Sequence, residues 1–204
     1  MRLEVITGPM SSGKSEELAR RLRRATYANQ RILVIKPSQD NRQARNIFVI
    51  IQEDERLKRH KPLVMRSLSR AKELRALVDS FKPDVLAFDE AQFLGQTPDP
   101  AQFFGQEFID YISGLLEKKK SKNFTIIAAG LDMDAWTRPF GIMPQLLAMA
   151  DEVLKLTAIC LLCRGQNGPA VLTQKKGGTG EQIETGDVGE LYEARCRACH
   201  EIPR

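Results

Sequence analysis

A phosphate-binding loop near the amino terminus constrains the fold more than any other feature of this 204-residue chain. The loop follows directly on the apolar run from Leu3 to Thr7 and precedes a stretch of helix-forming residues. In this setting, its backbone N–H groups and the start of the helix converge on a phosphate. Lys14 is expected to reach the β- and γ-phosphates of a nucleotide, and Ser15 to bind Mg²⁺. The complete loop is Gly8, Pro9, Met10, Ser11, Ser12, Gly13, Lys14 and Ser15.

Short apolar runs alternate with segments of helical periodicity along most of the chain. This alternation predicts an α/β fold of the phosphate-loop NTPase type, with a mostly parallel sheet, right-handed crossovers and helices on both faces. Ligands should gather at the carboxyl ends of the strands. The charged segment from Arg42 to Pro62 fits neither pattern, and we expect an irregular connection there. Strands are predicted at Leu3 to Thr7, Ile32 to Ile35, Val85 to Phe88 and Phe124 to Ala129, and helices after Ser15, Ser67, Gly105 and Phe140.

Composition indicates a cytoplasmic globular protein without a membrane partner. Hydrophobic residues make up 42% and charged residues 28% of the chain, no apolar run approaches the length of a membrane span, and a strand begins by residue 3 instead of a signal peptide. The net charge of +5 suits a protein that handles anions but does not by itself indicate nucleic-acid binding. Arg20, Arg21, Arg23 and Arg24 are expected to form the solvated face of the first helix.

All four cysteines of the chain stand in two Cys-x-x-Cys pairs, Cys160 with Cys163 and Cys196 with Cys199. This spacing predicts a structural Zn²⁺ bound by four thiolates, with no open position for catalysis. Two disulfides or a redox pair are the alternatives, although they fit a reducing compartment less well. Glycine and threonine replace helix formers after Leu156, so we predict a nucleotide-binding domain at 1–156 and a small zinc-ribbon unit at 157–204. His200 is expected to be exposed and not to bind the metal.

Two adjacent carboxylates, Asp89 and Glu90, end the predicted strand from Val85 to Phe88. An acidic residue at that point in a phosphate-loop fold is placed to organise Mg²⁺. A second carboxylate can accept the proton of an attacking hydroxyl group. Because many phosphate-loop ATPases carry the same pair to activate water, these residues alone leave ATP hydrolysis open.

Together these motifs resemble those of the zinc-containing, cellular-type thymidine kinases. The resemblance runs from residue 2 to residue 199 and implies ATP-dependent phosphorylation of the 5′-hydroxyl of thymidine, giving thymidine monophosphate, with Glu90 as the general base. It rests on the phosphate loop, Lys36-Pro37-Ser38-Gln39-Asp40-Asn41-Arg42, Asp89-Glu90-Ala91-Gln92-Phe93, Gly130-Leu131-Asp132, Pro139-Phe140-Gly141, Lys155-Leu156-Thr157-Ala158, and the cysteine pairs with Tyr192 between them.

On the nucleotide side, the resemblance implies that Asp40, Arg42, Asp89 and Gln92 act with the phosphate loop to bind ATP and Mg²⁺. Arg42 would stabilise the charge on the transferred phosphoryl group. Without the resemblance, a solvated loop charge is the alternative for Arg42. Members of this family commonly form tetramers, so a homotetramer is also expected.

On the nucleoside side, the resemblance implies contacts from Met10, Phe93, Leu131 and Tyr192. They would lie beneath a lasso, the segment between the two cysteine pairs (residues 164–195), which closes over the base and contacts it mainly through backbone groups. The residues themselves leave a second interpretation open, in which Met10 and Leu131 are ordinary apolar packing and Tyr192 anchors the lasso to the zinc unit.

Several positions depart from the family pattern, mostly on the acceptor side. The segment from Asn46 to Gln52 replaces a Ser-His or Thr-His pair, and Ala135 stands where an aromatic residue is usual, with Trp136 one position later. Ser11 replaces a frequent Phe, and the lasso sequence at 186–189 is one residue longer than usual before Tyr192. A deoxynucleoside kinase of altered acceptor specificity therefore stays open. So do an ATPase acting on a macromolecule and a nucleic-acid-binding module that uses the zinc ribbon and the arginine-rich helix.

Overall fold

Six parallel strands form the central sheet of this computed structural model, in the order β3-β2-β4-β5-β1-β6. The structure describes residues 1–38, 46–96, 104–117, 124–177 and 191–203. The strands of this sheet are β1 (Arg2–Thr7), β2 (Ile32–Pro37), β3 (Leu63–Leu68), β4 (Val85–Phe88), β5 (Thr125–Gly130) and β6 (Glu152–Lys155).

Helices cover both faces of the sheet, and successive strand residues point alternately into two apolar clusters. In β1, Leu3 and Val5 belong to one cluster and Ile6 to the other. The first cluster packs against α4, α5 and α6, and the second packs against α1, α2 and α3. Because both faces of the sheet are covered, its inner strands β1, β2, β4 and β5 are mostly apolar. The helices are α1 (Lys14–Tyr27), α2 (Ile47–Glu53), α3 (Glu55–Arg59), α4 (Ala71–Phe81), α5 (Gly105–Glu117) and α6 (Met143–Met149).

The predicted fold class is confirmed, and each of the four predicted strands is present within two residues of its expected bounds. The prediction of an irregular connection from Arg42 to Pro62 is wrong for its described part, which forms α2 and α3. Asn46 and Asp54 explain both helices, because each side chain accepts hydrogen bonds from two backbone N–H groups in the first turn that follows it. Strands β3 and β6 were not predicted, since neither is an apolar run and both lie at the edges of the sheet.

Helix α1 buries Leu18 and Leu22 as its sequence predicts, but its arginines do not form a uniformly solvated face. The side chain of Arg21 is only 11% exposed and forms ion pairs with Glu4, Glu17 and Glu152. The pairs with Glu4 and Glu152 connect α1 to β1 and β6. Within the residues described, no helix combines the length and the apolar character that crossing a membrane requires.

A small antiparallel sheet of β7 (Leu172–Lys175) and β8 (Tyr192–Arg195) lies beyond the parallel sheet in sequence. It packs with the cysteines in a separate cluster that includes Ala170 and Ala194. Nothing tests a domain boundary near residue 157, which therefore stays a prediction. Backbone and side-chain hydrogen bonds nevertheless connect this cysteine unit to the loops that leave β1 and β5.

Candidate active site and metal centre

The phosphate loop runs from the end of β1 to the start of α1, as its sequence predicts. Gly8 has a φ of 147°, and a Cβ atom there would lie 2.5 Å from the carbonyl oxygen of Leu156. Only glycine therefore fits where the loop passes the end of β6. Ser11 also has a positive φ of 60°, so the backbone curls tightly before α1 begins at Lys14.

Two polar groups of the loop are placed for an anionic ligand. The hydroxyl oxygen of Ser12 is buried and has no hydrogen-bond partner in the described chain. The side chain of Lys14 is 8% exposed, and its Nζ donates a hydrogen bond of 2.7 Å to the carbonyl oxygen of Pro9. A buried ammonium group and an orphaned hydroxyl beside the start of a 14-residue helix suit a phosphate group.

Asp89 lies directly opposite the loop, at the end of β4. Its carboxylate oxygens accept from the hydroxyl of Ser15 at 3.1 and 3.3 Å, and Oδ2 also accepts from the backbone N–H of Ile47 at 3.1 Å. Asp89 is 1% exposed, so these bonds offset the cost of burying its charge. A hydroxyl and a carboxylate held together are the oxygen ligands that Mg²⁺ prefers, which fits the sequence prediction for both residues.

Glu90 leaves β4 with an unusual backbone conformation, at φ 52° and ψ 44°. A non-glycine residue in this left-handed region is uncommon and marks a site where backbone strain is tolerated. The side chain is half-buried, and its Oε2 accepts a hydrogen bond of 2.5 Å from Nε2 of Gln92. The turn places Asp89 and Glu90 at the carboxyl edge of the sheet.

An apolar cluster at the same edge contains every residue predicted to contact a nucleoside. Met10 and Leu131 are each 6% exposed, while Phe93 and Tyr192 are half-buried beside them. Phe140 completes the cluster, and its ring meets that of Phe93 edge to face, with centroids 5.5 Å apart. The structure thus brings the predicted residues together in one place. Nucleoside contact stays a prediction, and the burial of Met10 and Leu131 also agrees with a packing role.

The four cysteine sulfur atoms all lie within 4.8 Å of one another. The Sγ atoms of Cys163 and Cys196 are 3.8 Å apart, which is about the spacing of two sulfurs in a tetrahedral site with Zn–S bonds of about 2.3 Å. All four cysteines are free thiols, with no disulfide between any two of them. Cys160, Cys163, Cys196 and Cys199 therefore form a donor set that fits Zn²⁺, as predicted.

Local hydrogen bonds lower the pKa of two of these cysteines and raise that of a third. Burial raises the pKa of Cys160, but hydrogen bonds from backbone N–H groups, including that of Cys163, outweigh it and lower the pKa to about 6. A backbone N–H of Asn167 similarly lowers the pKa of Cys163. The pKa of Cys199 is instead raised to about 12, chiefly by its hydrogen bond with Cys196. Four thiolates this close need a cation among them to be charged together.

The sequence model of the thymidine kinase family matches residues 1–200 of the chain. The chain belongs to the thymidine kinase family. It is similar to a thymidine kinase of Mycoplasma mobile, with 37% identity over 199 residues that cover 97% of this chain and 86% of that protein. A thymidine kinase of Mesomycoplasma hyopneumoniae is 38% identical over 201 residues, which cover 98% of this chain and 95% of that protein. The family predicted from sequence is therefore confirmed.

Two of the residues that the thymidine kinase resemblance implicates in nucleotide binding, Asp40 and Arg42, lie outside the described residues, as does the lasso sequence at 186–189. The roles of all the predicted site residues remain predictions. One neighbour of the nucleotide site was not predicted. The backbone N–H of Ile47, at the start of α2, binds Asp89, and the signal for it was Asn46 before an apolar run.

His200, near the cysteine cluster, differs from its sequence expectation, and Trp136 contacts the carboxyl-terminal segment. His200 is half-buried instead of exposed, with Nε2 3.1 Å from the carbonyl oxygen of Ala135; it is not part of the sulfur cluster. The indole N–H of Trp136 donates to the carbonyl oxygen of Pro203 at 3.1 Å. Trp136 thus anchors the carboxyl-terminal segment and does not belong to the apolar cluster that contains Met10 and Leu131.

Proposed function

We propose that this protein phosphorylates the 5′-hydroxyl of thymidine with ATP, giving thymidine monophosphate and ADP. The observation that carries the proposal is the convergence of three groups at one edge of the sheet. These are the phosphate loop with its Ser15–Asp89 pair, the strained Glu90, and the apolar cluster around Leu131. The match to the thymidine kinase family and the names of its relatives indicate thymidine as the acceptor.

The phosphate loop would bind and orient ATP. Backbone N–H groups and the start of α1 face the phosphates, Ser12 offers its unpaired hydroxyl, and Lys14 exchanges the carbonyl of Pro9 for phosphate oxygens. Asp40 and Arg42 would act on the same side of the site. The resemblance assigns Gln92 to the same set.

Glu90 would act as the general base of the transfer. The 5′-oxygen of thymidine attacks the γ-phosphorus atom, the bond from that phosphorus to the β,γ-bridging oxygen breaks, and the hydroxyl proton passes to the Glu90 carboxylate. ADP then leaves with the electron pair of the broken bond. Met10, Phe93, Leu131 and Tyr192 would hold the nucleoside and exclude water, so that thymidine and not water receives the phosphoryl group.

Mg²⁺ and Zn²⁺ have separate roles in this proposal. Mg²⁺, held by Ser15 and Asp89 directly or through water, would neutralise charge on the β- and γ-phosphates. Zn²⁺, held by the cysteine cluster, would be structural, because four thiolates leave no position for substrate. The small unit at 157–204 would then be a zinc-stabilised cover for a kinase domain at 1–156.

We also propose a cytoplasmic location and a homotetramer. Four free thiols used as metal ligands suit a reducing compartment. The tetramer rests on the family alone, and size-exclusion chromatography with light scattering would test it.

Phosphoryl transfer from labelled ATP tests the proposed function. Thymidine-dependent formation of thymidine monophosphate in the presence of Mg²⁺ is expected, with little ADP released when the acceptor is omitted. A Lys14→Met variant serves as the control, since it should fold but lose transfer. Hydrolysis that thymidine does not affect would contradict the proposal and favour a phosphate-loop ATPase.

A further inference from the structure

The side-chain amide of Gln92 bridges the proposed catalytic base and the wall of the nucleoside pocket. Its Nε2 donates to Oε2 of Glu90 at 2.5 Å, and its Oε1 accepts from the backbone N–H of Leu131 at 2.9 Å. The orientation of the amide is fixed chemically, because a backbone N–H can only donate and a carboxylate oxygen accepts. Both the nitrogen and the oxygen of the Gln92 amide therefore form hydrogen bonds on the side of the site where the nucleoside is proposed to bind.

The packing around Gln92 holds the amide in this position. Gln92 is completely buried. A Cβ atom on Gly130 would lie 2.6 Å from Oε1 of Gln92, so the glycine at the end of β5 makes room for the side chain. The backbone carbonyl of Gln92 is itself fixed by a hydrogen bond of 3.1 Å from Nε2 of Gln96.

Glu90 needs such a partner more than an ordinary surface carboxylate does. Its left-handed backbone turns the side chain out of the strand direction, and a half-buried carboxylate can adopt several side-chain rotamers. A general base must be held close to the hydroxyl that it deprotonates, and small misplacements reduce the rate strongly. A hydrogen bond to a charged group from a buried amide is strong enough to select one rotamer.

We propose that Gln92 is a positioning residue that aims the Glu90 carboxylate at the acceptor hydroxyl and ties it to the backbone of Leu131 in the nucleoside pocket. The structure thereby gives Gln92 a role in proton transfer, where the resemblance assigned it to ATP binding. The inference rests on the proposed function. Wild-type transfer to thymidine is therefore measured first, and its absence would count against the function, whereas the variants below test Gln92 alone.

Two substitutions separate the two hydrogen bonds. Gln92→Glu keeps an acceptor for the N–H of Leu131 but replaces the amide donor to Glu90 with a second carboxyl group, whereas Gln92→Met removes both at similar volume. The inference predicts that both lower kcat by about 10- to 100-fold. The KM for thymidine should change less than about threefold in Gln92→Glu and rise further in Gln92→Met, since the Leu131 backbone is released only there. The KM for ATP should stay near the wild-type value in both.

Gln174→Met is the matched control. Gln174 is also a buried glutamine whose amide bridges two groups: it donates to the carbonyl oxygen of Glu201 at 2.8 Å and accepts from the N–H of the same residue at 2.7 Å. Its loss should lower stability to a similar extent but leave kcat within about threefold of wild type. A comparable kcat loss in Gln174→Met would mean that the Gln92 effect is only destabilisation, and would overturn the inference.

A double-mutant cycle with Glu90→Gln provides the decisive readout. If Gln92 acts through Glu90, Gln92→Met should lower kcat by less than about threefold when Glu90 is already replaced. Equal losses in the two backgrounds would overturn the inference. So would Gln92→Glu with wild-type kcat, because the amide would then act only on Leu131. Gln92→Glu also keeps the cycle usable if Gln92→Met does not fold.

Discussion

The hydroxyl oxygen of Thr173 accepts a hydrogen bond of 3.1 Å from the backbone N–H of Met10. Thr173 lies on β7 of the cysteine unit, and Met10 lies in the phosphate loop, 163 residues earlier in the chain. Both residues are buried. The cysteine unit therefore contributes directly to the conformation of the loop proposed to hold ATP.

Replacing Thr173 tests this connection. Thr173→Val should lower the free energy of unfolding by about 1–3 kcal/mol, because the N–H of Met10 is left buried without an acceptor. Thr173→Ser keeps the hydroxyl and removes only a methyl group. It should therefore lower the free energy of unfolding by about 1 kcal/mol or less. Urea unfolding of both variants measures the difference. A Thr173→Val variant as stable as wild type would indicate that the hydrogen bond contributes nothing.

Removing the metal should loosen the strands that carry Thr173 and Tyr192. Cys163→Ser is expected to lose bound zinc and to raise the KM for thymidine by about tenfold or more, since Tyr192 belongs to the nucleoside cluster. Metal content by atomic absorption and steady-state kinetics check both effects. As a control, zinc added back to chelated wild-type protein should restore its KM. A zinc-free variant with a normal KM for thymidine would show that the metal does not affect substrate binding.

Glu90→Gln should keep ATP binding but lower kcat by about 10²- to 10⁴-fold, because the amide cannot accept the hydroxyl proton. Calorimetry of ATP binding and the rate of thymidine monophosphate formation measure the two effects independently. Wild-type turnover in this variant would show that Glu90 is not the general base.

The parts of the fold that were predictable are those encoded in contiguous residues. The phosphate loop and the buried strands are local patterns, because a strand covered on both faces is apolar along its whole length. Edge strands β3 and β6 lack that pattern, and only their pairing with β2 and β1 makes them strands. Helices α2 and α3 are short, so their periodicity was weak, although Asn46 and Asp54 are recognisable caps.

The residue types of the candidate site could be predicted from the sequence, but the hydrogen bonds that connect them could not. The side chains of Lys14, Asp89 and the cysteines indicate phosphate or metal binding by their chemical type alone. By contrast, the bridge from Glu90 through Gln92 to Leu131 depends on β4 and β5 being neighbours in the sheet, which no local pattern encodes. The bond from Thr173 to Met10 likewise depends on tertiary packing.

Tyr111 on α5 is predicted to make stability depend on alkaline pH. Its hydroxyl is buried without a hydrogen-bond partner in the described chain, and burial, aided by the charge of Asp79, raises the pKa of Tyr111 to about 12. An unfolded tyrosine has a pKa of about 10. Since the folded pKa is the higher one, this contribution to stability is complete below pH 10 and is lost as the pH rises from 10 towards 12.

Tyr111→Phe removes both the unpaired hydroxyl and its titration. The variant should be more stable than wild type by about 1 kcal/mol at pH 8, and its advantage should grow between pH 10 and 12. Denaturant unfolding of the two proteins at matched pH values gives this difference, in which the other titrating groups cancel. A constant difference across that range would contradict the raised pKa.

A competition among acceptors tests the central claim most directly. Labelled ATP and Mg²⁺ are supplied with thymidine, deoxyuridine, deoxycytidine and purine deoxynucleosides, and the kcat/KM for each monophosphate is measured. We predict that thymidine is preferred, with a modest loss for deoxyuridine, which lacks one methyl group, and a larger loss for deoxycytidine, whose amino group cannot accept the hydrogen bond that the thymine carbonyl accepts and would leave a protein donor unpaired. Preferential transfer to deoxycytidine or a purine, or hydrolysis without transfer, would contradict the assignment of this site to thymidine.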